Sequence, residues 1–293
     1  MKTTAMLVAA ISFAALLIGG SVSTAASTPT CLGEKATIVG TEGDDMITGT
    51  NDDDVIVALG GNDMINARDG DDLVCAGDGN DRIDGGDGFF DGIDGGPGDD
   101  SIAGGDAALT FAIYDEAPGP VNVSLVAGTA TGDGNDTLVD VNAVSGSAFD
   151  DTIVGDRHLN FLMGGDGNDQ IVGGAAMDLL SGDAGNDSID GGSGSDVLSY
   201  YDSPHSVVAN LGTGVATGWG NDRLSHIENL DGSKYADRLT GASNANEIHG
   251  NGGADRMVGL GSNDVLSGGA GRDYADGGKG RDRCSAERRV HCP

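Results

Sequence analysis

The residues best equipped for chemistry in this chain are aspartates that return every ninth residue. From Gly40 the sequence falls into the blocks GTEGDDMIT (40–48), GTNDDDVIV (49–57), ALGGNDMIN (58–66), ARDGDDLVC (67–75) and AGDGNDRID (76–84). Each has Asp at the sixth place and an aliphatic residue at the eighth. One residue is inserted in GGDGFFDGID (85–94), after which GGPGDDSIA (95–103) resumes the pattern. A second run covers 146–199, including GGDGNDQIV (164–172), and a third covers 232–285, including GLGSNDVLS (259–267). Carboxylates repeated this way can gather hard cations through oxygen, or act as an acid and base pair if two flank a substrate.

The elements that must position them follow from the spacing. Glycines at places one, two and four permit the positive φ of a tight turn, and the triplet after the Asp is a short strand with its aliphatic residue pointing inward. Two blocks make one coil of eighteen residues, so Asp45, Asp63 and Asp81 fall on one edge and Asp54, Asp72 and Asp91 on the other. Coils stack about 4.8 Å apart, as parallel strands do. At that distance two carboxylates repel by roughly 3 to 4 kcal/mol for an effective dielectric near 20. A column of them calls for cations. Calcium suits it, because it takes six to eight oxygens in flexible geometry and can be shared with turn carbonyls, whereas magnesium demands a tighter octahedron and keeps its waters.

These blocks resemble the hemolysin-type, or RTX, calcium-binding nonapeptide GGxGxDxUx, a parallel β-helix repeat. The resemblance implies an all-β parallel β-roll, or β-solenoid, that binds several calcium ions through sixth-place carboxylates and turn carbonyls. Carried over residue by residue, the ligands are Asp45, Asp54, Asp63, Asp72, Asp81, Asp91 and Asp100 in the first run. The second run gives Asp151, Asp169, Asp178, Asp187 and Asp196, and the third gives Asp237, Asp255, Asp264, Asp273 and Asp282. Asn160 and Asn246 replace the sixth-place Asp, which predicts hydrogen bonding along the stack there in place of a strong ion site. Leu109 stands at the sixth place of GGDAALTFA (104–112), where the first run stops. Arg272 and Arg281 precede Asp273 and Asp282 and make those two the least regular sites.

Composition narrows the function classes. Of 293 residues 53 are Gly and 4% are aromatic, so ordinary core packing has little bulky surface to use. Forty-seven acidic residues against 15 basic ones give a charge of −32, which argues against a nucleic-acid partner. Residues 1–26 start with Lys2, run apolar from Leu7 to Ile18 and end in small residues, as a secretory leader does; without it the charge is −33. No other stretch is long and apolar enough to span a bilayer. In an exported chain the four cysteines are expected to pair by nearness, Cys31 with Cys75 and Cys284 with Cys292, at the two ends of the array.

The expected organisation is a cap segment (27–39), the first run (40–105), a β linking segment (106–145), the second run (146–199), a second linking segment (200–231), the third run (232–285) and a C-terminal cap (286–293). The linking segments align with each other: LVAGTATGDGNDTL (125–138) matches LGTGVATGWGNDRL (211–224) at an offset of 86, so part of the chain is duplicated. Their GDGND and WGND stretches read equally as hairpin turns or as further ion sites. Six basic residues after position 271 are expected to close the roll by pairing with its last carboxylates. Phe89, Phe90 and Trp219 are either packed under turns or small contacts for a partner.

His158, His205, His226, His249 and His291 are scattered and lack zinc-site spacing, and no GxSxG or GxxxxGK[ST] motif occurs. The repeats begin so soon after the leader that no catalytic domain fits before them. The expectation is a secreted, non-enzymatic calcium-binding protein whose acidic chain folds as the ions bind. The alternatives are a calcium-dependent adhesin or matrix protein with a cell-surface or glycan partner, and a β-helical enzyme acting on polysaccharide.

Overall fold

The computed structural model describes residues 28–292; the expected leader lies outside them. Among the described residues there are strands and turns and no helix, hence none long and apolar enough to cross a membrane. The chain winds as a right-through stack of coils with two sheets. One sheet has 13 strands and runs from Ile38–Val39 and Val55–Val57 to Val265–Ser267 and Arg283–Ser285, all parallel neighbours. The other starts at Met46–Thr48, Met64–Asn66 and Arg82–Asp84 and ends at Tyr274–Asp276 and Arg288–Val290.

The pairing register is the eighteen-residue coil: Ile47 lies beside Ile65 and Ile65 beside Ile83, while Ile56 lies beside Val74. Eighth-place side chains therefore meet between the sheets, where Ile56, Ile83, Ile102, Ile153, Leu162, Ile171, Leu180, Leu198 and Leu230 are fully buried. The core is one continuous cluster between the two sheets, aliphatic apart from Tyr114 and Tyr200, which is why so few aromatics suffice.

A second extra residue follows in 104–112, so that Asp91 and Thr110 stand 19 residues apart, as Asp72 and Asp91 do. Leu109 pairs with Phe90, and Thr110 pairs with Asp91, so Thr110 and not Leu109 continues the column of sixth-place residues. Leu109 packs instead in a small apolar cluster with Phe111, Ile113 and Ala143, to which Phe90 is added.

Each linking segment adds an antiparallel excursion to the second sheet. Asn122–Ser124, Thr129–Thr131 and Asn135–Val139 form one meander, and Val208–Asn210, Val215–Thr217 and Asn221–Ser225 form its duplicate. The last strand of each rejoins the stack, Leu138 beside Ile102 and Leu224 beside Ile189. At the start of the roll, a small hairpin of Thr30–Cys31 and Glu34–Lys35 is tied by the Cys31–Cys75 disulfide, and Cys284–Cys292 closes the far end, as their spacing led one to expect.

Candidate metal centres in the turns

Each sixth-place Asp stands at the entry of its strand, where the turn brings the backbone of adjacent coils together. In most of them one carboxylate oxygen, Oδ1, accepts the backbone N–H of the sixth-place residue one coil earlier, whereas Asp54 takes the Thr37 hydroxyl and Asp151 and Asp237 take the N–H of Val121 and Val207. Asp45 donates to Asp63 (2.8 Å), Asp63 to Asp81 (2.7 Å) and Asp81 to Asp100 (2.8 Å), and on the other edge Asp54 donates to Asp72 (2.8 Å). Successive acids are thus linked head to backbone along the edge, and from Asp54 onward they are almost wholly shielded from solvent.

The second oxygen, Oδ2, sorts the seventeen expected ligands into two groups. In thirteen it is buried and has no hydrogen-bond partner: Asp63, Asp72, Asp81, Asp91, Asp100, Asp169, Asp178, Asp187, Asp196, Asp255, Asp264, Asp273 and Asp282. In Asp45, Asp54, Asp151 and Asp237 it is satisfied within its own turn. Thr41, Thr50, Ser147 and Ser233 each donate both backbone N–H and side-chain hydroxyl to it.

The difference follows the backbone at the second place of the block. In all thirteen unpaired turns that residue has positive φ, from Gly77 (98°) and Gly165 (97°) to the non-glycines Leu59 (82°), Arg68 (83°), Asp183 (60°), Asn251 (65°) and Leu260 (77°). Thr41, Thr50, Ser147 and Ser233 do not, and there the second-place N–H is aimed at the carboxylate. Five side-chain-bearing residues therefore hold a conformation that disfavours them, in turns whose acid remains half satisfied. The first place is not left-handed, contrary to the expectation from sequence. Its glycine provides space: where a Cβ would stand on Gly173, Asp178 Oδ2 and the Gly191 carbonyl oxygen each lie 2.6 Å away. Ala58, Ala67 and Ala76 occupy that place in the first run, so their methyls narrow the opening there.

Burial drives the electrostatics. Removal from water pushes the carboxyl of Asp72 up to about 7 and those of Asp100 and Asp169 up to about 8, with neighbouring carboxylates adding to the effect. Asp187 and Asp255 rise to about 7 for the same reasons, and Asp81, Asp91 and Asp196 to about 6. A buried anion with an unpaired oxygen and like-charged neighbours is a costly arrangement without a positive charge. Among the described residues no three His, Cys, Asp or Glu side chains converge on one point. Any ion held here must complete its shell from turn carbonyls, which calcium accepts and zinc does not favour. The donor set is all oxygen, and it fits calcium.

The ends of each column are built differently, by residues outside the regular nonapeptide blocks. On the edge that begins with Asp45, Asp100 donates to Asp136 Oδ1 (3.1 Å), and Asp187 to Asp222 Oδ1 (3.2 Å), so the Asp of GDGND and that of WGND join the column. Their Oδ2 atoms are not left bare: the buried phenols of Tyr114 and Tyr200 donate to them at 3.0 and 2.8 Å. The third stretch of that edge ends on Glu287, whose Oε2 takes the N–H of Asp273 (2.7 Å), and on the opposite edge Glu228 does the same for Asp196 (3.1 Å). Asn160 and Asn246 hydrogen-bond along the stack as expected, donating their amides to the carbonyls of Asn142 and Glu228.

The C-terminal arginines do not close the roll by pairing with the last carboxylates. Oδ2 of Asp273 and of Asp282 remains unpaired, and the ion pairs formed within 4.0 Å join histidines to acids: His158 to Asp156, His226 to Asp190, His249 to Asp231 and Glu247, and His291 to Asp276. Arg272 and Arg281 stand in the turns just before these acids with their side chains exposed, while the acids are buried, so adjacency in sequence does not become contact. Asp273 and Asp282 are consequently as regular as the other sites.

A two-sheet parallel β-roll with a buried, half-paired carboxylate in turn after turn is the architecture of a calcium-binding repeat protein. The model of the RTX calcium-binding nonapeptide repeat matches residues 39–74, 58–89, 141–171, 172–200, 217–257, 231–266 and 249–284, and the chain belongs to that family. No curated protein matches the sequence.

Proposed function

We propose that this chain is a secreted, non-enzymatic calcium-binding protein whose thirteen half-paired aspartates are its ligands. The observation that carries the reading is the set of buried Oδ2 atoms without a partner. They fall into six short runs: Asp63, Asp81 and Asp100; Asp169 and Asp187; Asp255 and Asp273; Asp72 and Asp91; Asp178 and Asp196; Asp264 and Asp282. Bound calcium supplies the positive charge that these anions lack. The chain's own residues do the rest. Oδ1 is held by the preceding coil, which aims Oδ2 into the turn, and the left-handed second-place residue keeps its N–H from satisfying that oxygen in place of an ion. Asp45, Asp54, Asp151 and Asp237, with Ser or Thr on their second oxygen, serve as metal-free starts of the runs.

Export rests on the leader-like residues 1–26 and on the two disulfides, which persist in an oxidising compartment. The absence of catalysis rests on the assignment of the regular acids to the turns. The test is calcium bound per chain after equilibrium dialysis, read by elemental analysis. Asp169→Asn with Asp187→Asn is expected to lower the ion count, and Asp151→Asn with Asp237→Asn to leave it unchanged. Equal losses in both pairs, or none in the first, would overturn the assignment.

A further inference from the structure

The charge of −32 is not spread along the roll. Residues 1–222 carry five basic residues and 37 acidic ones, whereas 223–293 carry ten of each. Five of those ten acids, Asp237, Asp255, Asp264, Asp273 and Asp282, are inside turns and at most 3% exposed. The surface of the last quarter is therefore cationic on an otherwise acidic molecule.

Strand register concentrates part of that charge. The outward-facing seventh-place residues of the second sheet pair in succession, Arg238 beside Arg256, Arg256 beside Tyr274 and Tyr274 beside Arg288. The guanidinium of Arg256 lies 4.5 Å and that of Arg288 5.3 Å from the Tyr274 ring centroid, so the ring holds the two arginines on its faces. Arg238, Arg256 and Arg288 are exposed and enter none of the ion pairs named above. The one acid at the outer positions of these four strands, Asp276, accepts a hydrogen bond from or shares a proton with His291 Nδ1 at 2.7 Å. Like charges one strand apart repel, and nothing in the fold requires three arginines in one row.

We propose that this row is a docking surface for an extended anionic polysaccharide that bears carboxylates. Guanidinium forks match carboxylates in a bidentate manner, and their fixed spacing along a flat sheet suits a linear polymer whose sugars advance by roughly the spacing of strands. A nucleic acid fits less well, because its denser phosphates would meet the acidic remainder of the roll.

The test uses the calcium-loaded full chain, with hyaluronan as the probe and dextran as the neutral control, in a binding titration at low and moderate salt. The combined change Arg238→Gln, Arg256→Gln and Arg288→Gln is expected to weaken binding at least tenfold, and Lys35→Gln, Arg82→Gln and Arg157→Gln to leave it unchanged. The three Arg→Lys replacements at the row preserve charge but lose the fork, and are expected to give intermediate affinity, which keeps the test informative if the glutamine variant misfolds. Absence of hyaluronan binding, equal binding by the row variant, or tighter binding to single-stranded DNA overturns the proposal. So does concentration-dependent self-association abolished by the row variant, which would assign the surface to a second copy. Normal calcium content in the row variant separates failure here from failure of the ion-binding reading.

Discussion

Replacing Tyr200 by Phe removes a single oxygen and leaves Asp222 Oδ2, now held at 2.8 Å by the phenol, without a partner in a buried site. A hydrogen bond to a charged group contributes about 1.5 to 3 kcal/mol, and an orphaned buried acceptor costs a comparable amount. With about 2 kcal/mol lost, and about 2 to 4 °C of melting temperature per kcal/mol for a chain of this size, Tyr200→Phe should melt about 4 to 8 °C lower. The assay is thermal unfolding followed by circular dichroism at two calcium concentrations, one just above the folding midpoint and one saturating. The drop should be smaller at saturation, because Phe converts this rung into one resembling the thirteen that lack a protein partner for Oδ2. Tyr114→Phe should behave alike through Asp136, and Tyr201→Phe, on an exposed residue beside it, should have no effect. A melting temperature unchanged in Tyr200→Phe, or lowered equally in Tyr201→Phe, would refute the idea that the phenol completes the buried carboxylate.

Two further outcomes follow from the same geometry. Several of the turn acids have carboxyl groups pushed above their ordinary range in the roll, Asp91 up to about 6 and Asp100 up to about 8. Protonation therefore favours the metal-free roll: its contribution is full below the unfolded carboxyl value near 4 and is lost as pH rises through about 6 to 8. In chelator the β-sheet signal should be strongest near pH 4 to 5 and fade toward pH 8, and a signal that grows with pH would contradict this. Changing Cys31 and Cys75 to Ser opens a link spanning 44 residues, worth about 4 kcal/mol by loop-closure entropy. Hydrogen exchange should accelerate in the first coils and not in the last ones, and uniform acceleration would mean that the roll unfolds as one unit.

Much of this was legible in the sequence because the repeat is a physical ruler. A nine-residue period with one aliphatic residue fixes which side chains meet, so Ile47, Ile65 and Ile83 could be stacked before any coordinates were known. The split between half-paired and capped acids was also written there, as Ser or Thr at the second place in GTEGDD, GTNDDD, GSAFDD and GSKYAD. It went unread because a hydroxyl four residues before an Asp reveals its role only once the turn folds it back. Asp136, Asp222 and their tyrosines were harder to see, since each pair is 22 residues apart across a meander whose return path the period does not specify. The Leu109 frame failed for a related reason: a second extra residue lies in 104–112, where no sixth-place Asp marks it and only the strand register reveals it. The arginine row needed the strand register itself.

The duplicated portion of the roll comes with its own terminators. A serine opens it at Ser147 and again at Ser233, and a phenol closes the preceding stretch at Tyr114 and again at Tyr200, each pair separated by the same 86 residues. On that edge such a cassette begins and ends on an acid whose second oxygen is capped by the protein, so copies can be gained or deleted during evolution without redesign of that edge on either side. Length in this protein is accordingly a modular quantity, adjustable in whole cassettes while the chemistry within each is inherited intact.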